Sequence, residues 1–251
     1  MTNQLIDRKQ VWKTIFIFLG ILISLSAICY YAILKLNPTS IYVGALMMCP
    51  ALSAFATLKI TKRPISSIPW NLEKSKYLSL SYLIPVLYVT IAYVLIWFFS
   101  LGSVLNQETI LEWSQELGME EFSIPIIILS MVVLLSIVGV VKNIGSTLGE
   151  EIGWRGFFIY ELRKIFSFGG VSIISGLIWS IWHWPIILLI YKGSGNVIFH
   201  ISSFTVMILG MSVILAYYTF KSNSLWPSAL FHSVHNIFIQ KIFTPLTSTN
   251  E

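Results

Sequence analysis

Ser123-Ile124-Pro125-Ile126-Ile127-Ile128-Leu129-Ser130-Met131-Val132-Val133-Leu134-Leu135-Ser136-Ile137-Val138-Gly139-Val140-Val141 carries no charged side chain, and the first charge after it is Lys142. About 20 apolar residues are enough to cross the hydrocarbon core of a bilayer as a helix. Inside lipid, backbone amides must bond within the segment, which leaves helices or closed barrels as the spanning structures. Stretches of the same kind lie at roughly 13–36, 41–60, 78–101, 170–191, 197–220 and 225–243. The semi-polar segment at about 143–163 either continues the fourth span or forms an eighth helix. These readings predict an all-α fold, a polytopic transmembrane helical bundle of seven to eight helices around a buried polar active-site cavity. It forms one transmembrane domain over residues 1–251.

Composition supports this and narrows the function. The chain is 56% hydrophobic and only 11% charged, with a mean hydropathy of +0.79; a soluble domain is about a quarter charged. The net charge of +5 does not indicate nucleic acid, because the basic residues cluster in short loops beside apolar segments. Arg8, Lys9 and Lys13 precede the first span, and Lys59, Lys62, Arg63, Lys74 and Lys76 follow the second. Arg163, Lys164 and Lys221 flank later ones. By the positive-inside rule these sides, and the N-terminus, are cytoplasmic. The segment 102–122 holds Glu108, Glu112, Glu116, Glu120 and Glu121 without a Lys or Arg; it is expected outside, as a surface helix with a solvated acidic face. The first apolar run is too long for a signal peptide and no A-x-A site follows it. Cys29 and Cys49 read as packing residues, and Trp12, Trp70, Trp97, Trp113 and Trp226 as interfacial anchors near span ends.

Against this background the run Gly149-Glu150-Glu151-Ile152-Gly153-Trp154-Arg155-Gly156 stands out, since a carboxylate at the bilayer centre costs at least about 2.5–3.5 kcal/mol. On a helix, Thr147, Glu151 and Arg155 share one stripe at i, i+4 spacing, so Glu151 can pair with Arg155. Glu150 points about 100° away and keeps its carboxylate for other work. Gly145, Gly149 and Gly153 form a third stripe, on which another helix can approach closely. The bland alternative is a cytoplasmic loop in which two glutamates carry no desolvation cost.

Two later apolar helices argue against that alternative. Trp179 and His183 fall on one face at i, i+4, with Trp182 beside them, and Pro185 frees the carbonyl of Ile181. Ser224-Leu225-Trp226-Pro227 reads as a helix start, after which His232 and Asn236 share a face and His235 lies partly on it. His200 has no such company. A carboxylate and a histidine can deprotonate water, while a second histidine and an amide can donate to the oxyanion of a tetrahedral intermediate. Alternatively, Glu150, His183 and His232 could hold Zn²⁺ with an open position for water. Either arrangement suits amide hydrolysis.

The three motifs in order, Glu150-Glu151-Ile152-Gly153-Trp154-Arg155, Trp179-Ser180-Ile181-Trp182-His183 and His232-Ser233-Val234-His235-Asn236, resemble those of the CAAX prenyl protease and bacteriocin-processing family of intramembrane peptidases. The resemblance covers about 125–243, and the first hundred or so residues match only in hydropathy. It implies that Glu150 acts with His183 on water, that His232 and Asn236 hold the oxyanion, and that Glu151, Arg155 and the aromatic Trp179 support them. Where the family most often has Phe, this chain has Trp179. The resemblance leaves zinc and metal-free catalysis open; one carboxylate without a thiolate leans toward metal-free. Other intramembrane proteases fit less well: Asp7 is the sole aspartate, no HExxH occurs, and the nearest approach to Gly-x-Ser-Gly, Lys192-Gly193-Ser194-Gly195, lacks the first Gly. The implied activity is endopeptidase cleavage of a peptide or membrane-protein substrate in the bilayer, in bacteriocin or pheromone maturation or immunity in a bacterial cytoplasmic membrane. The rival readings are a non-catalytic immunity or binding protein on the same fold, and a small transporter, for which no inverted repeat is visible.

Overall fold

Helix boundaries follow local chemistry in the structure, a computed structural model that describes residues 7–36, 40–72, 76–190 and 196–248. Lys74 and the run Lys192-Gly193-Ser194-Gly195 lie outside the described residues. Asp7 caps α1 (Arg8–Lys35) by accepting from the amides of Lys9 and Gln10. Helix α2 is Ser40–Ile60 and α3 is Lys76–Phe98. Asn106 caps α4 (Gln107–Leu117), which ends on Gly118 at φ +63°, the left-handed conformation that glycine adopts without strain. Helix α5 runs unbroken over Ile124–Arg163, so the semi-polar segment continues the fourth span and makes no separate helix. Helix α6 is Phe168–Ile190. Asn196 caps α7 (Val197–Ser222), and Asn223 ends it in the left-handed region. Helix α8 begins as Trp226–Ile237 and continues through the π-helical turn Phe238–Phe243.

Six of these helices (α1, α2, α3, α5, α6 and α7) are long and apolar enough to cross a membrane. The protein is an integral, multi-pass membrane protein. The expected seventh span at 225–243 is helical, but it does not join those six. Its histidines, Asn236 and serines dilute the apolar run.

The chain divides into two compact units, Met1–Glu73 with Leu148–Ser228, and Lys74–Thr147 with Ala229–Glu251. In the first, α1 packs along α2 and α6 along α7. Phe18 of α1 stacks among Trp154, Phe157 and Phe158 of α5. The glycine stripe docks on α2. A Cβ at Gly149 would lie 2.8 Å from the Met47 carbonyl oxygen, and one at Gly153 would lie 2.6 Å from that of Pro50. Lipid supplies no hydrophobic drive for helix association, so close backbone approach through small residues does that work. Gly145 does not take part, because a Cβ there meets open space.

In the second unit, Val89, Ile110, Trp113, Met131, Val234, Ile237 and Phe238 build the apolar core. Trp113 is therefore a core residue, only 6% exposed, and not the interfacial anchor its position suggested. Helix α4 is amphipathic, and folding its apolar face inward takes the indole with it. Its acidic side chains stay exposed, as expected. Ser103 and Val104 pair antiparallel with Ser248 and Thr247 beside it. Cys29 and Cys49 are free thiols with sulfurs 3.7 Å apart.

Candidate active site

The two glutamates end the α-helical stretch Val140–Glu151 of α5. Immediately after them Ile152–Phe158 widens into a π-helical turn, and every residue of that turn is buried. Such widenings are rare and frequent at functional sites. Glu150 is 2% exposed and Glu151 is fully buried, which rules out the solvated-loop alternative.

The predicted division of labour between them is present. Arg155 Nη1 donates to Glu151 Oε1 at 3.3 Å, while the guanidinium carbon lies 4.0 Å from the centre of the Trp179 ring. Burying a guanidinium is expensive unless it is paired, and the carboxylate on one side and the π-face on the other offset that cost. Arg155 Nε and Nη2 have no hydrogen-bond partner among the described residues. Glu150 points elsewhere, and its Oε2 accepts from Trp179 Nε1 at 2.8 Å.

Trp179 thus joins the two glutamates, and it positions the histidine as well. Its carbonyl accepts from His183 Nδ1 at 3.0 Å. That bond places the proton of a neutral imidazole on Nδ1 and makes Nε2 the acceptor nitrogen. Nε2 lies 3.7 Å from Glu150 Oε2. Trp182 packs edge-on against the imidazole at 4.6 Å and Phe204 of α7 covers it at 5.3 Å. The Trp179 indole contributes an N–H that a phenyl ring cannot supply.

Sequence spacing did not show what holds this helix in place. Trp182 Nε1 donates to Ser26 Oγ at 2.8 Å, and Tyr30 Oη donates to the Trp182 carbonyl at 2.5 Å. Pro185 was expected to free the carbonyl of Ile181; the one that Tyr30 engages is its neighbour. Both partners come from α1, more than a hundred residues away, and no local pattern marks them.

His232 and Asn236 belong to the second unit, on α8, and lie at the i, i+4 positions expected. His232 is 5% exposed and Asn236 is half-buried. His235 turns to a structural role, with a short hydrogen bond between its Nδ1 and the Tyr88 hydroxyl of α3. Polar hooks fix this face of α8: Thr147 Oγ1 donates to the Ala229 carbonyl at 3.2 Å and Ser233 Oγ to the Val140 carbonyl at 2.7 Å. At the start of α8, Ser224 Oγ accepts from the Trp226 amide at 3.2 Å and donates to the Asn71 carbonyl. The predicted helix start is in place.

A carboxylate and an imidazole 3.7 Å apart can share one water about 2.8 Å from each, a triangle within ordinary hydrogen-bond lengths. The same two groups are one short of the three protein ligands of a catalytic zinc. Among the described residues no group of three His, Cys, Asp or Glu side chains is arranged to hold a metal.

Comparison with known proteins bears on the same region. Residues 123–238 match the family described as Type II CAAX prenyl endopeptidase Rce1-like. A stretch of 93 residues is 31% identical to the CAAX prenyl protease 2 of Methanococcus maripaludis, covering 35% of this chain. The chain spans about a third of the length of that curated relative, 34%. The matched segment contains all three motifs on which the resemblance was read.

Proposed function

From residues 123–238, which match the Type II CAAX prenyl endopeptidase Rce1-like family, we propose that this protein is an intramembrane endopeptidase in which Glu150 and His183 activate water without a metal. The observation that carries the reading is the buried Glu150 carboxylate, held by the Trp179 indole at 2.8 Å with Nε2 of His183 at 3.7 Å. Water between them loses a proton to the carboxylate as its oxygen attacks the scissile carbonyl. The imidazole Nε2 accepts from the water's other O–H and orients it. As the tetrahedral intermediate collapses the C–N bond breaks, and the proton held by Glu150 passes to the leaving nitrogen. His232 and Asn236 take the oxyanion role that the family resemblance assigns, donating to the tetrahedral oxygen. Glu151 and Arg155 lock the turn that presents Glu150.

The substrate class is a peptide or a membrane-tethered protein, and the setting is bacteriocin or pheromone maturation or immunity in a bacterial cytoplasmic membrane with the N-terminus inside. The acidic segment 102–122 and the Lys- and Arg-rich loops support that orientation.

The test is cleavage of a membrane-tethered reporter by purified protein in proteoliposomes. Glu150→Gln and His183→Ala should each lower kcat by about 10²–10⁴-fold, with the protein still folded, and chelators should leave the wild-type rate unchanged. Full activity in both variants would overturn the reading. Self-protection against a bacteriocin that survives Glu150→Gln would assign the chain to binding and not to proteolysis.

A further inference from the structure

One end of the first unit carries a polar groove that the catalytic reading does not use. Three adjoining cavities open there. The largest, 410 Å³, is lined by Arg63, Ser67, Phe157, Tyr160, Arg163 and Lys164, together with Glu161. A second, of 230 Å³, shares Arg63, Glu161 and Lys164 with it and reaches Gln10 and Thr14 at the start of α1. A third, of 360 Å³, shares Ser67 and Tyr160 and extends along Pro69, Trp70 and Asn71.

The charge in this groove is unbalanced. Glu161 is 3% exposed and accepts from Arg63 Nη1 at 2.6 Å and from Lys164 Nζ at 2.7 and 2.8 Å. One carboxylate thus faces three cations: Arg63, Arg163 and Lys164. Arg63 Nε is buried and has no hydrogen-bond partner among the described residues. The Phe157 ring, 5.2 Å from the Arg63 guanidinium, helps to fix the plane of its fork. Arg163 Nη1 is held by the Phe166 carbonyl at 2.9 Å, which leaves further N–H groups on its fork. The Arg63 side chain is 30% exposed, and planar guanidinium forks suit phosphate.

The depth of the groove points to the source of that phosphate. Trp70 lines it, and its carbonyl accepts from the Trp226 indole at 2.9 Å. Trp12 is partly exposed two residues from Gln10 and packs edge-on against Phe166. Indoles gather at the headgroup level of a bilayer, and Ile65 and Leu72, both largely exposed, flank the opening. Basic pockets at such a level between spanning helices take anionic lipid headgroups.

We propose that this groove binds the phosphate of an anionic phospholipid headgroup, with the guanidinium forks of Arg63 and Arg163 as its donors. The site lies on residues outside the proposed catalytic set and does not rest on the peptidase reading. The experiment uses purified, delipidated full-length protein, with thermal unfolding followed as phosphatidylglycerol, phosphatidylcholine or inorganic phosphate is added. Native mass spectrometry reads lipid retention in parallel. Phosphatidylglycerol should stabilise the protein more than phosphatidylcholine does. Its apparent affinity should fall about fivefold in Arg63→Lys, which keeps a cation for Glu161 but loses the planar fork, and similarly in Arg163→Gln. Arg163→Gln carries the test if Arg63→Lys fails to fold. Equal effects of the two lipids, or a phosphatidylglycerol preference untouched by both substitutions, would overturn the proposal. An equal shift from inorganic phosphate alone would overturn the lipid source and assign the site to a soluble phosphate.

Discussion

Glutamate occurs in two contrasting settings. Along α4 and just beyond it, Glu108, Glu112, Glu116, Glu120 and Glu121 are all exposed. Toward the end of α5, Glu150, Glu151 and Glu161 are 2%, 0% and 3% exposed. The first group is solvated by water and asks nothing of its neighbours. Each member of the second has a donor of its own: the Trp179 indole for Glu150, Arg155 for Glu151, and Arg63 with Lys164 for Glu161. Desolvation turns a carboxylate from a surface ornament into a constraint on the residues around it. Mutational sensitivity should follow that division.

The largest expected effect is at Arg155. Arg155→Ala removes this cation from the buried Glu151 carboxylate and should lower stability by about 3–5 kcal/mol, read as thermal unfolding in detergent. A loss near zero would mean that the buried pair is of no structural account. Trp179→Phe keeps an aromatic ring but deletes the hydrogen bond to Glu150. Bonds to charged groups contribute about 1.5–3 kcal/mol, so kcat in the reporter assay should fall at least about tenfold while the protein still folds. Undiminished turnover would show that the indole is not needed to place the carboxylate. Gly153→Ala forces a methyl group against the Pro50 backbone and should destabilise by about 1–3 kcal/mol. Gly145→Ala, in open space, should match or slightly exceed wild type. At the bottom of the scale, Glu112→Gln on α4 should stay within about 0.5 kcal/mol of wild type. A larger loss there would erase the contrast between the two settings.

The parts of this arrangement that sequence could anticipate are those governed by local periodicity. Glu151 meets Arg155, Trp179 meets His183, and Gly149 and Gly153 dock a helix, all at the i, i+4 spacing of one helix face. Apolar length likewise marked the spans. What escaped was set by partners distant in the chain: Tyr30 and Ser26 on Trp182, Arg63 on Glu161, and Tyr88 on His235. His235 lies partly on the His232–Asn236 face by spacing, yet its partner is the distant Tyr88. Trp113 lay near a predicted span end, yet amphipathicity decided its place. The π-helical turn after Glu151 escaped too, because a pattern read at 3.6 residues per turn assumes the geometry that the turn departs from.

The contact of Gly149 and Gly153 with α2 has a mechanical consequence. Where two backbones touch, neither helix can roll about its axis without driving main chain into main chain. The bearing of the Glu150 carboxylate is therefore set by the seam with α2 as well as by its own hydrogen bond. Opening that seam would require the two strands of chain to part together, as one cooperative block. Amides of 149–156 should be among the last in the molecule to take up deuterium.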